Sequence, residues 1–214
     1  MFREAPETKA GEAGMTLIEV MVAATLGLVV ALGAFGFIDS SRRSYASQNA
    51  LTTAQSDGRT TADVFTRDAR GAGYSPLGVP FDAVPSGAAT SVRLRADLNG
   101  NGVVGGAGET DEDLTYTFLG PTNGIYQLQR GVDLNGDGDF TDINESVDII
   151  ATNIVPIDTN GDGATEAFLA YDYAPPWATT VTLTFGVRTA KRDVLKRQYP
   201  VTSFRSKVAL RNRR

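Results

Sequence analysis

The chain has 214 residues, of which 25 are acidic and 20 are basic, and it contains neither histidine nor cysteine. Zinc sites built on those residues, cysteine nucleophiles, Ser-His-Asp triads and disulfides are therefore excluded, and nothing in the remaining composition points to an enzyme. The length is sufficient for one domain with its own hydrophobic core in addition to a long helix.

A charged leader is followed by a long apolar run. Residues 1–14 contain two basic and three acidic side chains, whereas no charged residue occurs from Val20 to Ile38. As a helix, this run would span about 28 Å, which is close to the hydrocarbon thickness of a bilayer. A cleaved secretory signal fits less well, because its apolar core is shorter, its start is basic and a small-residue cleavage site follows it.

Glu19 stands immediately before this run. A carboxylate at the centre of a bilayer costs roughly 2.5–3.5 kcal/mol on insertion scales, so a glutamate in such a helix needs a partner. A plain single-span anchor would leave Glu19 unexplained.

The segment Gly14 to Val20, with the sequence GMTLIEV, resembles the class III signal of type IV pilins and type II secretion pseudopilins. The resemblance implies that a prepilin peptidase cuts between Gly14 and Met15 and that the new amino terminus is N-methylated. It also implies that Glu19 neutralises the terminal amine of a neighbouring subunit. An acid and an amine that are each costly in apolar surroundings are tolerable as a pair.

This chain departs from the usual pilin pattern in two respects. Met15 stands where the family usually has phenylalanine, and the leader is net acidic where leaders of the family are usually basic. In addition, Arg42 and Arg43 follow the span, and by charge alone they would favour the opposite membrane orientation.

A second helical pattern continues the apolar run. No proline occurs from Ser40 to Gly73, and small or apolar residues recur there at spacings of three and four. This periodicity predicts an amphipathic helix whose stripe packs in a core, and Gly71, Gly73 and Pro76 predict its end. The stripe consists of Leu51, Ala54, Gly58, Ala62, Phe65, Ala69 and Ala72. One helix from about Thr16 to Ala72 would be about 85 Å long.

After Pro76 the periodicity changes to two, which predicts strands of a mostly antiparallel sheet joined by Gly-, Asn- and Asp-rich turns. A long helix laid against such a sheet is an α+β arrangement, and it is also the arrangement of pilins. The candidate strands are 92–96, 114–118, 125–130, 146–150, 166–173, 181–187 and 201–210. The predicted organisation is a leader over 1–14, a transmembrane or filament-core helix over 15–39, its amphipathic continuation over 40–73 and a β-sheet domain over 74–214.

Two further segments narrow the resemblance. Phe65–Tyr74, with the sequence FTRDARGAGY, is similar to the end of the helix in PilW-type minor pilins and in the minor pseudopilin J of type II secretion. The closing segment Val208–Asn212 also looks like that group. Together with the amino-terminal motif, the likeness covers the helix and both ends of the mature chain, and leaves out the middle.

The middle contains three acidic loops in which oxygen-bearing side chains occupy alternate positions and glycine follows. This spacing allows a chain to curl around one hard cation, with glycine closing the curve. The sequence therefore predicts Ca²⁺ sites. The candidate ligands are Asp97, Asn99, Asn101 and Glu109 in the first loop; Asp133, Asn135, Asp137, Asp139, Asp142 and Glu145 in the second; and Asp158, Asn160 and Asp162 in the third.

Charge is consistent with a bound cation. From Asp97 to Asp172 there are 15 acidic residues and one basic residue, Arg130, and such crowding of like charge destabilises a compact state unless it is neutralised. The loops are not EF-hands. Glu109 and Glu145 stand twelve positions after the first aspartate of their loops, whereas the bidentate glutamate of an EF-hand stands about eleven positions after it. The alternative is that Asp-Gly and Asn-Gly simply form hairpin turns.

Nucleic acid and nucleotides are not expected as ligands. Gly100 to Gly105 matches GxGxxG, but acidic residues and a strand follow it instead of the helix that a dinucleotide site requires. Nine of the 20 basic residues lie beyond residue 190, where alternation predicts a solvated strand face or a contact with an acidic neighbour. Few aromatic residues interleave with them, as nucleic-acid binding would require.

The sequence as a whole predicts a minor pilin-like structural subunit, first held in the bacterial inner membrane by a single span with its carboxy-terminal domain in the periplasm and then part of a filament. The expected partners are other pilin or pseudopilin subunits, prepilin peptidase and the inner membrane. Two alternatives remain open: a minor pseudopilin of a type II secretion system, and a membrane-anchored calcium-dependent adhesin that never polymerises.

Overall fold

The computed structural model describes residues 15–105, 109, 111–135, 140, 142, 145–193 and 197–210. The predicted leader over 1–14 with Gly14, the positions Asp137 and Asp139, and the last two residues of Val208–Asn212 lie outside the described residues. The chain divides into two compact units, Met1–Ala46 and Ser47–Arg214. The described part contains helix α1 (Leu17–Gly71) and seven strands: β1 (Ser91–Arg95), β2 (Asp113–Thr122), β3 (Ile125–Val132), β4 (Ser146–Val155), β5 (Leu169–Tyr171), β6 (Thr180–Arg188) and β7 (Val201–Ala209).

The described residues of the first unit are almost entirely the beginning of α1. The predicted helix from about Thr16 to Ala72 is confirmed, with α1 running for 55 residues. By length and composition α1 is able to cross a membrane, and none of its most apolar window is buried within the described structure. A core helix of a soluble protein would instead be covered.

In the second unit, the later turns of α1 pack on the β-sheet. Ala54, Phe65 and Ala69 are buried there, as the stripe predicts, and the ring of Phe65 meets Tyr116 edge-on with centroids 5.2 Å apart. The helix ends as predicted: Gly73 has a φ of 79°, a left-handed conformation that glycine adopts without strain.

The sheet is antiparallel throughout: the strands pair in the order β1-β2-β3-β4-β6, and β5 and β7 also pair with β6. Strand β6 has three partners among the described strands. Strand β7 pairs along its whole length, while β5 and the end of β4 share its opposite edge. The fold is therefore α+β and pilin-like, with one long apolar amino-terminal helix and a mostly antiparallel sheet, as the sequence predicts.

Two predicted strands have different lengths in the structure. Strand β4 continues to Val155, beyond the predicted end at Ile150, and it is this extension that pairs with β6. The strand predicted from Glu166 to Tyr173 is confined to Leu169–Tyr171. The reason is that the Glu166 carboxylate turns back to the third acidic loop and accepts hydrogen bonds there instead of lying along the sheet.

Candidate functional site

The first acidic loop connects β1 to β2 and is organised around Asp97, which is completely buried. Its Oδ1 accepts the backbone N–H groups of Gly100 at 2.7 Å and Asn101 at 3.1 Å, and its Oδ2 accepts that of Gly102 at 3.0 Å. Gly100 and Gly102 have φ values of 77° and 81°, which glycine tolerates best. Asp97 therefore fixes the curve of the backbone from inside.

Three predicted ligands of the first loop meet. The side-chain amides of Asn99 and Asn101 both donate to the carboxylate of Glu109, the second at 2.7 Å. Each asparagine also uses its Oδ1 to accept a backbone N–H two residues later. The structure thus brings Asn99, Asn101 and Glu109 together, while Asp97 faces the backbone of the same loop.

Glu112, which the motif spacing did not single out, completes the first loop. Its side chain is 1% exposed. Its Oε1 accepts the N–H groups of Leu98 and Asn99, both at 2.8 Å, while its Oε2 has no hydrogen-bond partner. Burial raises the pKa of Glu112 above its usual value and the adjacent Glu109 carboxyl raises it further, although the N–H groups of Asn99 and Leu98 act in the opposite direction.

The second loop, between β3 and β4, is only partly described. Asn135 donates its amide to Asp142, and Glu145 accepts the N–H groups of Leu134 and Asp142, both at 3.2 Å. Asp133 is buried, and its carboxylate accepts a hydrogen bond from the guanidinium of Arg93. The structure therefore brings Asn135, Asp142 and Glu145 together, whereas the carboxylate of Asp133 is engaged by an arginine.

The third loop, between β4 and β5, repeats the first on an exposed surface. Asp158 accepts the N–H groups of Gly161 at 2.6 Å and Gly163 at 2.8 Å, and these hydrogen bonds lower the pKa of Asp158. Asn160 donates its amide to Asp162 at 3.0 Å. All three predicted residues thus belong to one hydrogen-bonded turn.

A glutamate closes each of the three loops by the same contact. Glu112, Glu145 and Glu166 each accept the N–H of the residue that follows the first aspartate of the loop. The sequence distance from that aspartate to the glutamate differs in every loop, so a fixed-spacing motif could not have found the set. Among the described residues, no group of three or more acidic, histidine or cysteine side chains is arranged to hold a metal ion.

Largely buried arginines support the first two loops. Arg93 binds Asp113 with two hydrogen bonds of 2.7 and 2.8 Å and also reaches Asp133, and Arg95 binds Asp113 at 2.6 Å. Since Asp113 follows Glu112 directly, this cluster joins the start of the second loop to the end of the first.

A cavity of about 480 Å³ lies at the end of α1, lined by Asp111, Glu112, Arg67, Arg95 and Arg130 among others. Arg130 links Asp111 at 2.7 Å to Asp68 of the helix at 3.2 Å. The sequence predicted none of these ion pairs.

The amino terminus of α1 is held by a reciprocal cap. The N–H of Glu19 donates to the hydroxyl of Thr16, and the Glu19 carboxylate accepts the N–H of Thr16, both at 3.3 Å. This is a capping box, which satisfies backbone donors at a helix start. Glu19 is exposed, so its carboxylate is accessible to a second donor.

A continuous apolar surface follows Glu19 along α1. Its large hydrophobic side chains are exposed, from Leu17 at 82% to Ile38 at 46%. Soluble monomers rarely expose an apolar surface of this extent, and it is consistent with a helix that anchors the chain in a membrane.

Residues 9–35 match the family model of the prokaryotic N-terminal methylation motif. The chain carries a prokaryotic N-terminal methylation motif. The motif supports a type IV pilin-like or pseudopilin precursor that is processed by prepilin peptidase and assembles with other subunits of that type. No curated protein and no solved structure gives a significant match to the chain.

The methylation motif contains the predicted cleavage position, Gly14 and Met15, together with Glu19 and most of the exposed apolar surface. The cap and the apolar surface described above are consistent with membrane anchoring before assembly. The acidic loops lie outside the matched range, so the match carries no information about them.

Proposed function

We propose that this chain is a minor pilin-like structural subunit of a type IV pilus, which enters the filament or primes its assembly through α1. The observation that carries the proposal is the N-terminal methylation motif at the start of a 55-residue helix whose apolar face is uncovered. The similarity of Phe65–Tyr74 and Val208–Asn212 to PilW-type minor pilins favours the minor class.

The proposed mechanism begins in the inner membrane, with residues 1–14 in the cytoplasm and the β-domain in the periplasm. Prepilin peptidase cuts between Gly14 and Met15, and the new terminal amine is methylated. The helix then exchanges lipid for the helices of other subunits. The exposed carboxylate of Glu19 pairs with a neighbour's terminal amine, which relieves the cost of burying either charge alone.

A minor pseudopilin of a type II secretion system is the second candidate, because Phe65–Tyr74 is also similar to that group. A membrane-anchored adhesin that never polymerises is the third, and in that case the leader would remain uncut. All three are structural or binding proteins: we propose no catalytic role and no nucleic-acid partner.

The proposed function includes Ca²⁺ bound by the acidic loops, which would order them. Their ligand pattern, the 15 acidic residues against one basic residue from Asp97 to Asp172 and the closing glutamate of each loop support this. Ca²⁺ sites of extracellular modules have dissociation constants of about 10⁻⁴–10⁻³ M. An unfolding temperature of the full chain that does not change with millimolar Ca²⁺ would contradict it.

Mass spectrometry of the sheared surface-filament fraction and the membrane fraction of native cells tests the proposed function. A terminal peptide that begins at N-methylated Met15 in the sheared fraction would establish a pilus subunit. The same peptide in membranes alone would favour the pseudopilin or a subunit that stays at the filament base. Intact residues 1–14 in every fraction would overturn the pilin assignment in favour of the anchored adhesin.

A further inference from the structure

Two buried carboxylates lie next to each other in the first acidic loop. Glu109 is 8% exposed and Glu112 is 1% exposed, and both carboxylates accept hydrogen bonds from Asn99, Glu112 from its backbone N–H and Glu109 from its side-chain amide. Within the part of the chain that the structure describes, neither carboxylate forms an ion pair. Two adjacent buried acids of this kind are costly unless a proton or a cation is shared between them.

The Oε2 atom of Glu112 also points to a ligand. It is buried and has no hydrogen-bond partner, while Oε1 of the same carboxylate accepts two backbone N–H groups. A buried polar atom without a partner destabilises the folded state. One oxygen is therefore anchored by the backbone, and the other is free to take a ligand beside Glu109.

The neighbouring side chains, Asn99 and Asn101, carry amide oxygens of the kind that can coordinate Ca²⁺. Asn99 and Asn101 donate their side-chain N–H groups to Glu109, while each amide oxygen accepts one backbone N–H and keeps a second lone pair. Ca²⁺ takes six to eight oxygen ligands in flexible geometry, including carboxylates, amide oxygens and water. Mg²⁺ fits less well, since it demands near-ideal octahedral geometry.

We propose that Glu109 and Glu112 together bind one Ca²⁺ in the first loop, with Asn99 and Asn101 beside them and Glu112 as the ligand that closes the site. Asp97 acts here as a positioning residue, because its oxygens already hold three N–H groups of the loop backbone. This inference rests on the proposed Ca²⁺ function of the loops and names the residue on which the first site depends.

The test uses the full chain in detergent, freed of metal with a chelator and titrated with CaCl₂ by calorimetry and equilibrium dialysis. Glu112→Gln is the main variant, since glutamine keeps an oxygen for the N–H groups of Leu98 and Asn99 but loses the charge. Asp148→Asn, on the exposed part of β4, is the matched control for the loss of one negative charge. We expect E112Q to lose one bound Ca²⁺, or to bind it about tenfold or more weakly, and D148N to bind like the wild type.

Thermal unfolding provides a readout that a merely structural role of Glu112 would not give. Without Ca²⁺, E112Q is expected to unfold at the wild-type temperature or above it, because the variant removes a buried charge. With Ca²⁺, the unfolding temperature of the wild type is expected to rise more than that of E112Q. The difference between the two unfolding temperatures therefore narrows or changes sign. A lower unfolding temperature of E112Q in chelator, with unchanged Ca²⁺ binding, would overturn the proposal.

The remaining outcomes separate this inference from the wider proposal. If the wild type binds Ca²⁺ and both E112Q and Glu109→Gln bind it equally well, the site lies in another loop and this inference fails alone. If the wild type binds no Ca²⁺, the Ca²⁺ function of all loops fails with it, and the two buried acids share a proton instead. Neither result affects the assignment as a pilin-like subunit, which the amino-terminal peptide tests separately.

Discussion

At the scale of single residues, Glu19 has two possible roles that a pair of variants separates. Glu19→Ala removes both the capping box and the charge that is proposed to pair with a neighbour's amine. Thr16→Ala removes only the cap, whose loss costs about 1 kcal/mol of helix stability. We expect E19A to be cleaved by prepilin peptidase but excluded from filaments, and T16A to be both cleaved and incorporated.

Immunodetection of each variant in sheared filaments and in membranes measures the outcome. Equal exclusion of E19A and T16A would show that the capping box, rather than the intersubunit pair, is what assembly needs. Normal incorporation of E19A would remove Glu19 from the mechanism altogether.

Gly58 is a residue at which local propensity and packing give opposite predictions. In an exposed helix, Gly→Ala stabilises by about 1 kcal/mol, but here the ring of Phe204 occupies the space that a Cβ would need. We therefore expect Gly58→Ala to lower the free energy of unfolding by about 1–3 kcal/mol. Gly71→Ala, in the same helix and with nothing within 4 Å of its Cβ position, is the control and should be neutral or stabilising. Urea denaturation of both variants decides between propensity and packing.

The same residue shows why part of the structure could not be predicted. The stripe that contains Gly58 predicted which face of the helix is buried, because periodicity is a local property of the sequence. It did not reveal that Phe204, from a strand more than 140 residues later, packs against that glycine. Glu112 was missed for a similar reason, since its role depends on a loop that brings it back to Leu98 and not on a fixed spacing.

At the scale of elements, the buried ion pairs between strands are the most sensitive part of the sheet. Arg93 on β1 binds Asp113 on β2 and reaches Asp133 after β3, and both aspartates are almost completely buried. Replacing Arg93 removes a cation that is shared by two buried carboxylates, so we expect Arg93→Met to lower the free energy of unfolding by about 3–5 kcal/mol.

Arg67→Ala is the matched control for that prediction. Its salt bridge to Asp68 is mostly solvated on the arginine side, and exposed pairs contribute about 0–1 kcal/mol. Equal effects of R93M and R67A on chemical denaturation would mean that burial does not decide the strength of these pairs.

The elements themselves were largely predictable, and their polar contacts were not. Alternation of Val92 and Leu94 with Arg93 and Arg95 predicted β1 correctly, because one face of the strand lines the core. It gave no sign that the arginines would be largely buried as well, since this depends on which strands become neighbours. Helix α1 was predicted almost to the residue, because glycines and a proline mark its end.

At the scale of the whole molecule, the two units differ in what they require from their surroundings. Every buried hydrophobic side chain of the described structure lies between Ala54 and Leu210, whereas the large apolar side chains from Met15 to Ile38 are exposed. The β-domain therefore has a core of its own, while the start of α1 buries none of its large apolar side chains within the described structure. This division fits a subunit whose helix moves from a membrane to a filament while its domain stays folded.

A fragment that begins at Ser47, the first residue of the second unit, tests this division of stability. Since the fragment retains the complete set of buried hydrophobic residues, we expect it to be monodisperse without detergent and to unfold in one cooperative transition. The full chain is expected to need detergent, because its exposed apolar helix would otherwise associate. Size-exclusion chromatography and circular dichroism of both proteins provide the measurement. A fragment without a cooperative transition would mean that the first turns of α1 contribute to the stability of the β-domain, and that the domain cannot remain folded independently while its helix changes environment.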